Sequence, residues 1–124
     1  MSRPSPAIIL FAHGSRDPLW AKPIEAVAAA IRQQNPTCAV RCAYLELMLP
    51  SLADAAAALA GQGFAQIRIV PMFLGVGKHA KEDLPLLVDT LVRTYPHIQF
   101  ELAPSIGEHP QLIHCIAQIA LAPT

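Results

Sequence analysis

The chain reads as an α/β domain: a four-stranded parallel sheet flanked by helices in three layers. Three observations lead there. Apolar, β-branched runs alternate with stretches whose apolar residues recur at helical spacing. This alternation fills all 124 residues, with no linker long enough to divide them. Finally, His13, Glu46 and His79 each follow one of the apolar runs and lie 33 residues apart. That step is close to the roughly 30 residues of a strand plus its crossover helix. It returns the chain to the same edge of a parallel sheet through right-handed crossovers.

The elements follow in order. Ala7–Ala12 is a continuous apolar run containing Ile8 and Ile9, as expected of a strand buried on both faces. Trp20, Ile24, Val27 and Ile31 recur at helical spacing, and Asn35-Pro36 marks the stop. Ala39–Leu45 is the second strand. Ser51, after Pro50, is placed to cap an Ala-rich helix ending near Gly61 and Gly63. The third strand lies in Ile67–Leu74. Leu84, Leu87, Val88, Leu91, Val92 and Tyr95 then trace one helical face. Ile98–Leu102 is the fourth strand, and Leu112, Ile113, Ile116 and Ile119 mark the last helix. The 12 prolines fall mostly at element boundaries, where a fixed φ helps rather than hinders.

Composition narrows the function. The chain is 53% hydrophobic and 15% charged, with nine basic residues balancing nine acidic ones. That balance argues for a folded domain and against nucleic acid or a membrane surface as its partner. No apolar run approaches the roughly 18 residues of a membrane span. The stretch from Met1 to Pro6 leads into an apolar run too short for a secretory leader, so a cytoplasmic location is expected. Cys38, Cys42 and Cys115 lack paired metal or redox spacing, and all three are expected to be buried free thiols.

Two imidazoles and a carboxylate at the carboxyl ends of successive strands lie where open α/β sheets place ligands. This makes His13, Glu46 and His79 candidate metal ligands. The loop His13-Gly14-Ser15-Arg16-Asp17 also offers Ser15 as a nucleophile, but no G-x-S-x-G elbow surrounds it. In the loop Gly75-Val76-Gly77-Lys78-His79-Ala80-Lys81, two lysines flank a histidine where a helix can present free N–H groups to an anion. Asp17 and Glu82 are candidates to orient a histidine. His109 and His114 are five residues apart, roughly 140° around a helix of 3.6 residues per turn, and so are poor joint ligands. His109, after the fourth strand, is a candidate to border the substrate. His97, before that strand, should lie at the opposite edge and is read as structural.

Leu10-Phe11-Ala12-His13-Gly14-Ser15-Arg16-Asp17, Tyr44-Leu45-Glu46, Pro71-Met72-Phe73-Leu74 and Gly77-Lys78-His79 through Asp83-Leu84-Pro85 together resemble the short-form sirohydrochlorin cobaltochelatases, the CbiX family. Ala103 through Pro110 resembles that family's last loop, so the likeness spans nearly the whole chain. The resemblance implies a chelatase-like (flavodoxin-like) fold. The whole of 1–124 would be a single domain forming one half of a homodimeric catalytic unit. The implied reaction is insertion of a divalent metal, usually Co²⁺ with Fe²⁺ or Ni²⁺ as others, into the tetrapyrrole sirohydrochlorin, in cobalamin or sirohaem biosynthesis. The metal is then substrate, and no prosthetic group is expected. The family's metal-binding histidines map onto His13 and His79, and its acidic position onto Glu46.

The chemistry is coherent without the resemblance. Imidazole and carboxylate together suit Co²⁺, Fe²⁺, Ni²⁺ and Zn²⁺. Three donors leave coordination positions free for a macrocycle, as a closed four-cysteine site would not. Insertion expels two pyrrole protons, which His13, Glu46 or His79 can accept. Ser15, Arg16, Lys78, Lys81 and His109 are the candidate contacts to the substrate, the cations meeting its carboxylates. A carrier of metal or tetrapyrrole would use the same residues without turnover. A flavodoxin-like interaction domain gives no reason for three ligand-type residues at matched strand ends.

Overall fold

The computed structural model describes residues 6–123; the Met1–Ser5 start weighed above as a leader lies outside them. Four strands, β1 (Ala7–Ala12), β2 (Val40–Tyr44), β3 (Gln66–Pro71) and β4 (Gln99–Leu102), alternate with four helices, α1 (Lys22–Gln34), α2 (Leu52–Gly61), α3 (Lys78–Thr94) and α4 (Pro110–Leu121). The strands form one parallel sheet in the order β2-β1-β3-β4.

Side-chain alternation along β1 divides the core. Ala7, Ile9 and Phe11 join Leu52, Leu59, Leu84 and Leu91 under α2 and α3. Leu10 and the partly buried Ile8 face the other way, onto Ala28, Ile24 and Ile31 of α1. Burial on both faces is why β1 is apolar throughout, whereas β3, with Gln66 and Arg68 exposed, alternates. Phe11, Ile9, Leu59, Ile67 and Ile69 are fully buried, each side chain contributing about 1.5–3 kcal/mol. Ser51 caps α2 as expected: its hydroxyl accepts from the Asp54 N–H, and Asp54 returns a bond to the Ser51 N–H.

Three details depart from the sequence reading. Trp20 lies in a 3-10 turn, Pro18–Ala21, rather than in α1, because the Asp17 carboxylate accepts from the Leu19 N–H and starts a separate turn. Next, α4 does not cover the sheet. No residue of α4 is buried, while the exposed side of β3 and β4 carries the Arg68–Glu101 ion pair. Ile119 is 70% exposed and Leu121 85%. Consequently Cys115, on α4, is exposed and not buried, while Cys38 and Cys42 are partly covered. Burial pushes the Cys42 thiol above its usual range, against the nearby Arg32 cation. Cys42 is thus a protonated packing group. Among the described residues, no helix is long and apolar enough to cross a membrane.

Candidate metal centre

The register places the ligand candidates. Ala12 pairs with Tyr44 and Phe11 with Pro71, so β1, β2 and β3 end level with one another. The next residues emerge side by side: His13 directly after β1, Glu46 two residues after β2, and His79 in the first turn of α3. The strand order puts His13 between the other two. Two backbone bonds stitch the first loop to the second, Leu45 N–H to Ala12 O at 2.8 Å and Glu46 N–H to His13 O at 3.0 Å. That approach is possible because Gly14, at φ +100°, has no Cβ: one would land on the Glu46 carbonyl oxygen. Beyond Glu46 the chain turns through Leu47 at φ +65°, a strained conformation for a bulky residue.

His13, Glu46 and His79 line one cleft of about 230 Å³, with Phe73, Asp83 and Leu84 among its walls. The His13 ring lies on Phe73, with centroids 4.2 Å apart and planes at 35°. Phe73 is in turn buried against Phe11, so the floor under the imidazole is part of the hydrophobic core. A second close backbone approach holds this floor from the other side. The Gly107 N–H bonds the Phe73 carbonyl at 3.0 Å, and a Cβ on Gly107 would collide with Leu74 O. The three candidates therefore share a cleft, but their side chains are not drawn together. Among the described residues, no three His, Cys, Asp or Glu side chains are gathered closely enough to hold a metal ion. All three are exposed at the rim, where side chains change rotamer freely.

The other candidates separate into those with structural partners and those without. The Ser15 hydroxyl accepts from the Asp17 N–H and shapes the turn, and Asp17 caps the next one. His109 is the N-cap of α4, its Nδ1 accepting from the Gln111 N–H at 3.2 Å. That explains His109 without a ligand. Glu82 is exposed and outside the cleft lining. His97 precedes β4 at the opposite sheet edge, as expected. Arg16, Lys78 and Lys81 are exposed. The first turn of α3 carries both lysines and no acidic residue, and its N-cap, Gly77, supplies no side-chain acceptor. Cations at a helix N-terminus oppose the dipole, by about 0.3–1 kcal/mol each. An anion bound there would reverse that cost and take up the free N–H groups.

Comparison with known proteins bears on the family and the fold. The CbiX family model matches residues 7–121. A sirohydrochlorin cobaltochelatase of Methanococcoides burtonii is 35% identical over 63% of this chain and 60% of its own; the chain spans less than two thirds of the length of the curated relatives it matches. A CbiX protein of Marinobacter aquaeolei, solved as a crystal structure and described as a cobalamin biosynthesis protein, superposes with a TM-score of 0.82 at 33% identity and covers 94% of both chains. The sirohydrochlorin chelatase SirB of Bacillus subtilis subspecies spizizenii, solved in complex with cobalt, gives a TM-score of 0.72 at 26% identity. It matches over 95% of this chain but only 49% of its own.

Proposed function

The chain belongs to the CbiX family, and we propose that it inserts a divalent metal ion, Co²⁺ first among the candidates, into sirohydrochlorin or a closely similar tetrapyrrole. The observation that carries this reading is the arrangement of His13, Glu46 and His79 around one cleft at the level ends of three neighbouring strands. Two imidazoles and a carboxylate hold a borderline divalent ion and leave positions open for incoming pyrrole nitrogens. Rotation of the exposed side chains draws the donors onto the ion. As the metal–nitrogen bonds form, the two pyrrole N–H protons leave to bases of the cleft, the neutral imidazoles and the Glu46 carboxylate. Free thiols at Cys38, Cys42 and Cys115 accord with a cytoplasmic setting. The deciding experiment follows tetrapyrrole absorbance with Co²⁺ and protein in catalytic amount. Many turnovers per chain support an enzyme, whereas a single stoichiometric event means a carrier.

Lys78 and Lys81 are the substrate's carboxylate partners in this reading, with Arg16 at the facing loop. Lys78→Ala is expected to raise the apparent KM for the tetrapyrrole about tenfold with kcat little changed, because it removes binding shared by ground and transition states. Stability should hold or rise slightly, since a cation leaves the positive end of a helix. A fall in kcat at unchanged KM would contradict the assignment.

The working unit is a homodimer. This chain matches about half of SirB, and one sheet edge forms only one side of a cleft broad enough for a tetrapyrrole. The apolar stripe Ile113, Ile116 and Ile119 of α4 is exposed among the described residues and offers a surface that two copies bury symmetrically. Ile116→Asp is expected to convert the sedimenting species to the 13.3 kDa monomer and to depress insertion with it. A wild-type protein that sediments as a fully active monomer at micromolar concentration would refute the dimer.

A further inference from the structure

One carboxylate in the cleft has no structural employment. Of the four aspartates, Asp17 caps a turn, Asp54 completes the capping box of α2, and Asp89 pairs with Arg93. Among the described residues Asp83 makes no side-chain hydrogen bond or ion pair, and it lines the cleft beside His13, Glu46 and His79. Its position on α3 deepens the puzzle. Asp83 is the sixth residue of the helix, past the first turn where a carboxylate gains from the dipole. Aspartate is also a poor helix former. Asp83 is exposed, yet it stands on the side of α3 that lines the cleft and not on the outer face.

The spacing to His79 supplies the missing role. Residues four apart on a helix stand one above the other, with Cβ atoms about 5–6 Å apart. Side chains on a helix lean toward its N-terminus, so a rotamer of Asp83 can carry its carboxylate back over the turn that holds His79. Two donors at this spacing on one helix can bind one ion, as the paired histidines of helical zinc motifs do. Resting on the metal-site reading above, we propose that Asp83 is a fourth metal ligand, forming with His79 a two-donor chelate on the face of α3. The cleft then holds two imidazole–carboxylate pairs. One is His13 with Glu46, linked by backbone bonds between neighbouring loops; the other is His79 with Asp83, linked by one helix. Two carboxylates neutralise a divalent ion, and four donors leave two positions free on a six-coordinate metal for the first pyrrole nitrogens.

The test measures Co²⁺ binding to the full chain without tetrapyrrole, by calorimetry and by the visible spectrum of the bound ion. Asp83→Asn should weaken binding at least about tenfold and shift the spectrum, whereas Asp83→Glu should recover part of the affinity. Asp89→Asn, which removes the same charge from the same helix, should change affinity less than about twofold. If His79→Ala weakens binding but Asp83→Asn matches wild type, the fourth ligand is refuted and the three-ligand site stands. If Asp89→Asn weakens binding as much as Asp83→Asn, the effect is general charge and the proposal is overturned. If His13→Ala, His79→Ala and Asp83→Asn all bind Co²⁺ like wild type, the metal-site reading itself is wrong.

Discussion

Alanine in place of His13 or His79 is expected to cut Co²⁺ insertion at least about 100-fold while leaving the fold intact. Loss of a group that merely orients a ligand costs roughly 10- to 100-fold in affinity or activity, so loss of the ligand should cost no less. Stability should change little, because both side chains are exposed and neither leaves a buried polar partner behind. His13 contributes packing to Phe73, and its removal opens the cleft without cutting into the core. Glu46→Gln should be gentler on metal affinity, since an amide oxygen still binds, but should slow the rate if the carboxylate receives pyrrole protons. His97→Ala, at the far edge of the sheet, is the control. Steady-state insertion followed by absorbance, with circular dichroism to confirm folding, decides the matter. Near wild-type rates in folded His13 and His79 variants would remove the metal site from this cleft.

The parallel sheet and the shared edge were legible because the chain spends nearly the same length on each early strand–helix unit. Equal spacing of His13, Glu46 and His79 then has a geometric meaning: level strands deliver them to level loops. Ser51 was legible for a local reason, since a capping box is written in four residues. Asp83 was not singled out, although its signal, an aspartate four residues after a candidate histidine, was present. Recognising it required knowing that α3 begins at Lys78, which puts His79 and Asp83 on one face of a helix rather than at separate points of a loop. The role of His109 was hidden similarly, because a histidine as N-cap depends on where α4 starts. The exposure of α4 and of Cys115 is a different case. Periodicity reveals that a helix has an apolar face, but not what that face meets. Here no residue of α4 is buried, and local pattern alone does not report that.

The second large effect concerns a residue with no side chain. Gly14→Ala is expected to destabilise the protein by about 3 kcal/mol, lowering the melting temperature by roughly 10 °C. Two costs combine. At φ +100° an L-residue is strained, which costs about 1–2 kcal/mol. The added methyl would also lie against the Glu46 carbonyl oxygen, with Tyr44 Cβ close behind at 3.4 Å. Both neighbours are backbone or buried strand and cannot swing aside. Gly63→Ala separates the two costs, because Gly63 has φ +87° but nothing within 4 Å of a new Cβ. It should lose only the conformational part, about 1 kcal/mol. The collision at residue 14 also forces apart the loops that carry His13 and Glu46, which are joined there by the 3.0 Å bond from Glu46 N–H to His13 O. Co²⁺ binding by Gly14→Ala should therefore fall at least about tenfold even at a temperature where the variant is fully folded, whereas Gly63→Ala should bind as wild type does. Calorimetric melting and Co²⁺ titration of the two variants side by side provide the test. Equal melting temperatures would mean that the loops yield without cost, and wild-type Co²⁺ affinity in folded Gly14→Ala would mean that the spacing of His13 and Glu46 does not set the metal site.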